Sequence, residues 1–81
     1  QLNIYPNPAN NVLSLETNMP LPLKVFLKIF NIQGQEVLST RYFESSSKTI
    51  EIDVSFLKTG AYLLELNLNH QQQVFKINIL H

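Results

Sequence analysis

Cysteine is absent from the 81 residues, and with it go disulfide frameworks, thiolate zinc sites and cysteine nucleophiles. The redox compartment stays open, because a domain without thiols persists in reducing and oxidising spaces alike. Glycine is scarce: Gly34 and Gly60 are the only two, too few for a glycine-rich phosphate cradle. Charge is sparse as well. Six Lys plus Arg balance six Asp plus Glu, and charged residues make up 15% of the chain where about 25% is usual. The cations Lys24, Lys28, Arg41, Lys48, Lys58 and Lys76 are dispersed, so no phosphate-tracking groove or polybasic membrane patch is visible, and nucleic acid is not an expected partner. The longest apolar stretch, Leu21 to Ile32, is broken by Pro22, Lys24 and Lys28 and falls short of the roughly 20 residues a membrane helix needs. The start of the sequence lacks the basic, apolar and small-residue succession of a signal peptide. If the domain is exported, its export signal is therefore expected elsewhere in a longer precursor.

What remains is enough apolar side chain to fold. The 44% hydrophobic content is near the average for globular domains, whereas disorder requires low hydrophobicity and high net charge. The length leaves room for one small core, so residues 1–81 are expected to form a single domain.

The apolar residues recur with a period of two, the pattern of strands with one buried face. Tyr62, Leu64, Leu66 and Leu68 alternate with Ala61, Glu65, Asn67 and Asn69, with only Leu63 out of step. Ile50, Ile52 and Val54 alternate with Thr49, Glu51 and Asp53; Phe75, Ile77 and Ile79 with Lys76 and Asn78; and Leu13 and Leu15 with Ser14 and Glu16. Leu23 to Ile32 is apolar in both registers, as in a central strand whose outer face is partly covered. Asn31-Ile32-Gln33-Gly34 supplies a hairpin turn in which Gly34 takes positive φ, and Asn69-His70-Gln71 supplies a second. Helical spacing with caps is missing; Asp53 to Lys58 has room for a single helical turn, and Tyr5-Pro6-Asn7-Pro8 reads as a stiff extended lead-in. About six or seven short antiparallel strands follow, and their spacing favours an all-β, immunoglobulin-like sandwich over a barrel.

Candidates for chemistry are few. His70 and His81 are the only side chains with an unperturbed pKa near neutrality, and both read as solvated surface residues. The carboxylates fall mostly on outward positions of separate strands, Ser45-Ser46-Ser47 lacks the context of a nucleophile elbow, and acidic residues never recur at calcium-loop spacing. No catalytic residue, cofactor or metal is expected. Tyr62 and Phe75 lie in core register, while Phe26, Phe30, Tyr42 and Phe43 are too many for so small a core; they either pack under a loop or form an exposed patch.

Four stretches carry a family resemblance. Ile4-Tyr5-Pro6-Asn7-Pro8-Ala9, then Ile29 to Val37 around Asn31 and Gly34, then Leu57 to Leu64 around Gly60 and Tyr62, resemble in order and spacing the signature blocks of the type A C-terminal sorting domain of type IX secretion. Val74 to Ile79 resembles that family's last strand, with Lys76 at the position of its characteristic lysine. Asn31 stands where Asp is common, and Ala61 where a β-branched residue is usual.

The resemblance implies an immunoglobulin-like sandwich that works as an address rather than a catalyst. It implies a cargo domain N-terminal in the same chain, passage through the periplasm, and recognition by the type IX translocon and its shuttle proteins. A sortase-like peptidase acting upstream of the domain and delivery of the cargo to the cell surface or the medium are also implied, with no small-molecule substrate. Tyr5, Pro6, Asn7, Pro8, Asn31, Gly34, Gly60, Tyr62 and Lys76 would carry the family motifs, as structural or recognition residues. A weakly charged surface suits strand pairing or apolar contact, which points to the exposed edge strands, above all Val74 to Leu80. The competing reading is an immunoglobulin-like accessory module whose aromatics bind carbohydrate or protein.

Overall fold

A computed structural model describes residues 2–81, the side chain of Thr40 excepted. The described residues form seven strands and no helix: β1 (Leu2–Tyr5), β2 (Val12–Thr17), β3 (Leu23–Asn31), β4 (Glu36–Ser45), β5 (Thr49–Asp53), β6 (Gly60–Leu68) and β7 (Gln71–Ile79). They make two antiparallel sheets, a three-stranded one in the order β1-β2-β5 and a four-stranded one in the order β4-β3-β6-β7. This is the immunoglobulin arrangement with the fourth strand moved from the first sheet to the edge of the second. The all-β sandwich read from the alternation is therefore the fold.

The core follows the period-two reading closely. Leu13 and Leu15 of β2 with Ile50 and Ile52 of β5 face Leu23, Val25, Leu27 and Ile29 of β3, Leu64, Leu66 and Leu68 of β6, and Ile77 and Ile79 of β7. Each such side chain, once buried, contributes about 1.5–3 kcal/mol. Strand β3 lies between β4 and β6, as its double apolar register suggests. On its outer face Phe26 is exposed while Lys28 and Phe30 are half-buried.

Two local expectations are corrected, and one open choice is resolved. Asp53 to Lys58 is not a helical turn. The Leu57 N–H donates to the Val54 carbonyl at 3.1 Å and Asp53 Oδ1 accepts the Ser55 N–H at 2.9 Å, a local Asx turn that replaces a helix too short to nucleate. Tyr5-Pro6-Asn7-Pro8 is not an extended lead-in: Tyr5 ends β1, a strand missing from the sequence reading, and Pro6 to Pro8 bend the chain across to the edge of β7, where Ala9 bridges Ile79 in parallel. The four-residue β1 is short and only half-buried at Leu2 and Ile4, which is why alternation alone did not reveal it. The four surplus aromatics divide: Phe43 packs against the core, Phe30 is half-buried, and Phe26 and Tyr42 stand exposed with ring centroids 4.6 Å apart, while Phe75 packs against the core as its register required.

Candidate functional site

Three of the four motif stretches and the end of the fourth meet at one pole of the sandwich. Tyr62 lies near the start of β6, where the inward register that buries Leu64 and Leu66 also buries its ring. A buried phenol needs a hydrogen-bond partner. The Tyr62 hydroxyl donates to the Lys58 carbonyl four residues upstream at 2.7 Å, the tyrosine corner of immunoglobulin-like folds. Gly60 opens the strand with near-extended backbone at φ 159°, and the turn that delivers Tyr62 lies before it, at Val54 to Leu57.

Asn31 organises the β3–β4 hairpin. Its Oδ1 accepts the Gln33 N–H at 3.0 Å and the Gln35 N–H at 2.9 Å, and its amide nitrogen donates to Gln35 Oε1 at 2.8 Å. The Gly34 N–H donates to the Asn31 carbonyl at 3.0 Å, with Gly34 at φ 85°, as the turn reading required. This hairpin abuts the tyrosine corner, since Asn31, Val37, Phe56, Leu57, Lys58 and Tyr62 line one open groove of about 330 Å³.

The Pro-Asn-Pro stretch closes the pole from the other side. Asn7 Oδ1 accepts the Asn78 N–H at 3.1 Å, the Ala9 N–H donates to the Asn78 carbonyl at 2.8 Å, and the Leu80 N–H donates to the Ala9 carbonyl at 2.8 Å. Ala9 is 1% exposed, so a larger residue there would displace this pairing. Tyr5, Asn7 and Lys76 line a second groove, of about 480 Å³, along the open side between β1 and β7. Pro6 and Pro8 flank Asn7 on the exposed bend.

His81 ties the parts together: it is exposed at the surface, as expected, but tethered there. Its N–H donates to Thr59 Oγ1 at 3.0 Å, its ring Nε2 donates to the Leu57 carbonyl at 2.6 Å, and its Nδ1 lies 2.7 Å from Asn10 Oδ1. Ala9, Asn10, Thr59 and His81 were thus missed as members of the cluster. Nothing in strand periodicity marks them, because their partners lie 22 to 71 positions away. Of the other motif residues, Lys76 lies on the outer face of β7 opposite Leu63 and Gly34 at a hairpin tip.

The chemistry of the pole is hydrogen bonding among its own parts. Beside it the Asp53 carboxyl is held below the usual carboxylate range, chiefly by the Ser55 hydroxyl at 2.6 Å and then by the Ser55 N–H, with the Arg41 charge assisting. No group of three or more acidic or histidine side chains suited to a metal ion occurs among the described residues. Exposed apolar side chains, Ile32, Phe56 and Leu80, flank the junction.

The class that the fold and the junction define is a small immunoglobulin-like sandwich with a hydrogen-bonded pole. Comparison with protein families sharpens that class, because the family described as "Secretion system C-terminal sorting domain" matches residues 3–80. The chain belongs to this family of type IX secretion sorting domains. No curated protein matches it. The family is one of sorting-signal domains, generally non-catalytic, and membership implies transit to the cell surface or beyond and interaction with the type IX machinery.

Proposed function

We propose that this chain forms one domain and is a non-catalytic C-terminal address that directs a preceding cargo protein from the periplasm through the type IX outer-membrane translocon. Shuttle proteins carry the label to the pore, and a sortase-like peptidase then removes it as the cargo is anchored. The observation that supports this reading is the convergence of Asn7 and Ala9 on Asn78 of the last strand and of Thr59 on His81 just beyond it. Blocks far apart in sequence are engaged in holding one strand end in place, and none is left as a reactive pair. Residues 1–81 fused behind a signal peptide and a fluorescent reporter, in a type IX-competent bacterium and in a translocon-deficient strain, provide the test. Reporter outside the first strain and trapped in the periplasm of the second is the expected result; periplasmic reporter in both, with the domain folded, removes the sorting reading.

A second reading draws on the exposed Phe26–Tyr42 pair. It stands beside a shallow groove of about 220 Å³ lined by Phe26, Lys28, Glu65, Asn67 and Gln72 among others, a mix of ring faces and amides that suits a saccharide. Binding of soluble glycans, lost in Phe26→Ala, would favour an accessory module.

A further inference from the structure

The free edge of β7 is divided. Asn78 sends both main-chain groups outward, to Asn7 and Ala9, and Leu80 sends its N–H to Ala9. The β6–β7 register runs without a shift from Gly60↔Ile79 to Leu68↔Gln71, so the same alternation holds along the whole strand. Gln71, Gln73, Phe75, Ile77 and Ile79 therefore bond to β6, while the main-chain groups of Gln72, Val74 and Lys76 face outward. Among the described residues, none pairs with these three along the edge. The half of the edge expected to be exposed toward Leu80 is covered; the half toward Gln72 is open.

The other three sheet edges are guarded in the usual ways. Strand β1 has four residues and runs into Pro6 and Pro8. Strand β5 has five residues and exposes Glu51 and Asp53. Strand β4 shifts register against β3 and exposes Arg41 and Glu44. Gln72 to Lys76 has neither proline nor register shift and carries a single charge, at Lys76. The least guarded edge of the domain is where an added strand fits.

We propose that Gln72 to Lys76 is a docking edge at which an extended segment of the type IX machinery adds as a fifth strand beside β7, an inference that rests on the sorting reading above. The Asn69–His70 turn at one end and Asn7 at the other limit the docked segment to this stretch. Lys76 is the sole charge on it and faces Leu63 across the β6 ladder, so it favours a carboxylate on the incoming strand, while Val74, 55% exposed, favours an apolar side chain. A second copy of this chain fits less well. Antiparallel self-pairing about Val74 sets Lys76 against the partner's amide rather than a carboxylate, and parallel pairing in register sets Lys76 against Lys76.

Proline is tolerated at edge positions whose N–H faces solvent, so Val74→Pro leaves the β6 ladder intact while removing a docking donor. In the reporter fusion, export of Val74→Pro is expected to fall about tenfold with unfolding behaviour unchanged. Gln72→Pro reads the same effect should Val74→Pro fail to fold, and Lys76→Glu lowers export by reversing the charge. Wild-type export of both folded proline variants overturns the docking edge and leaves the sorting function standing. Translocon-independent behaviour of the wild-type fusion removes both. Dimerisation of the purified domain that is lost in Val74→Pro, with export unaffected, assigns the edge to a second copy instead.

Discussion

The side-chain oxygen of Asn7 accepts the main-chain N–H of Asn78 at 3.1 Å, joining positions 71 apart in sequence. A side chain here takes the place of a neighbouring strand, because Asn78 points away from β6 and its N–H would otherwise meet only water. The hydrogen bond is exposed, so its net worth lies toward the low end of the usual range. Asn7→Ala is expected to cost about 0.5–1 kcal/mol, and Asn7→Asp, which keeps the acceptor oxygen, much less. For a domain of this size a loss of 1 kcal/mol lowers the unfolding midpoint by about 4–8 °C, readable by circular dichroism.

Tyr62→Phe keeps the buried ring and deletes only the bond to the Lys58 carbonyl. The expected cost is about 1 kcal/mol, whereas Tyr62→Ala empties a core position and costs about 3–5 kcal/mol. Thermal melts of the two variants should therefore separate clearly. Equal midpoints for Tyr62→Phe and wild type would show that the tyrosine corner contributes nothing here.

His70 sits at φ 71° beside Asn69 at φ 48°, the two-residue turn of the β6–β7 hairpin. Both positions demand positive φ, which glycine adopts without strain and which Asn and His adopt at some cost. His70→Gly converts the turn to Asn-Gly and is expected to stabilise the domain by about 0.5 kcal/mol, the left-handed strain relieved outweighing the entropy that glycine adds to the unfolded chain. Asn69 should resist change, since it also accepts the Lys24 N–H at 2.7 Å and donates to the Pro20 carbonyl at 3.2 Å. Urea titration of the pair His70→Gly and Asn69→Ala should move the midpoints in opposite directions.

At the β3–β4 hairpin, Gly34 has φ 85° and no atom within 4 Å of an added Cβ. Gly34→Ala thus meets no clash and costs about 1–2 kcal/mol through its backbone alone. Asn31→Asp retains the oxygen that caps Gln33 and Gln35 and should leave the melting midpoint nearly unchanged; Asn31→Ala should lower it.

Asp53 makes a small part of the domain's stability depend on pH. Its folded carboxyl lies below its ordinary pKa because Ser55 donates to it first through the hydroxyl and then through the N–H, so the ionised form stabilises the fold. This contribution is fully present above the ordinary carboxylate range near about pH 4 and is lost as pH falls through the depressed folded value. Ser55→Ala should raise the Asp53 titration midpoint, followed by carboxyl chemical shifts, and should weaken the fold at neutral pH more than at pH 2.

Alternation made most of the fold legible. Leu13, Ile52, Leu64 and Ile77 were placed inward by period two and are buried, and the hairpins at Gly34 and Asn69 stand where the turn chemistry set them. Strand β1 escaped because four half-buried residues give too short a signal, and the stretch after Asp53 misled because a local turn and one turn of helix share a composition. The motif residues Asn31 and Tyr62 were visible by type. The bonds of Asn7, Asn10 and His81 were not, since neither their partners nor their distances leave a trace in local pattern.

The sequence by itself determined the class of fold, the inward faces of β2, β5, β6 and β7, the two hairpin turns and the lack of thiol chemistry. All of these depend on interactions between near neighbours or on composition. Only the tertiary structure decided that the Pro-Asn-Pro stretch covers the far half of β7, that His81 is tethered, and that Gln72, Val74 and Lys76 are left open. Which main-chain groups at a sheet edge find partners depends on segments brought together from opposite ends of the chain, and period two is blind to them.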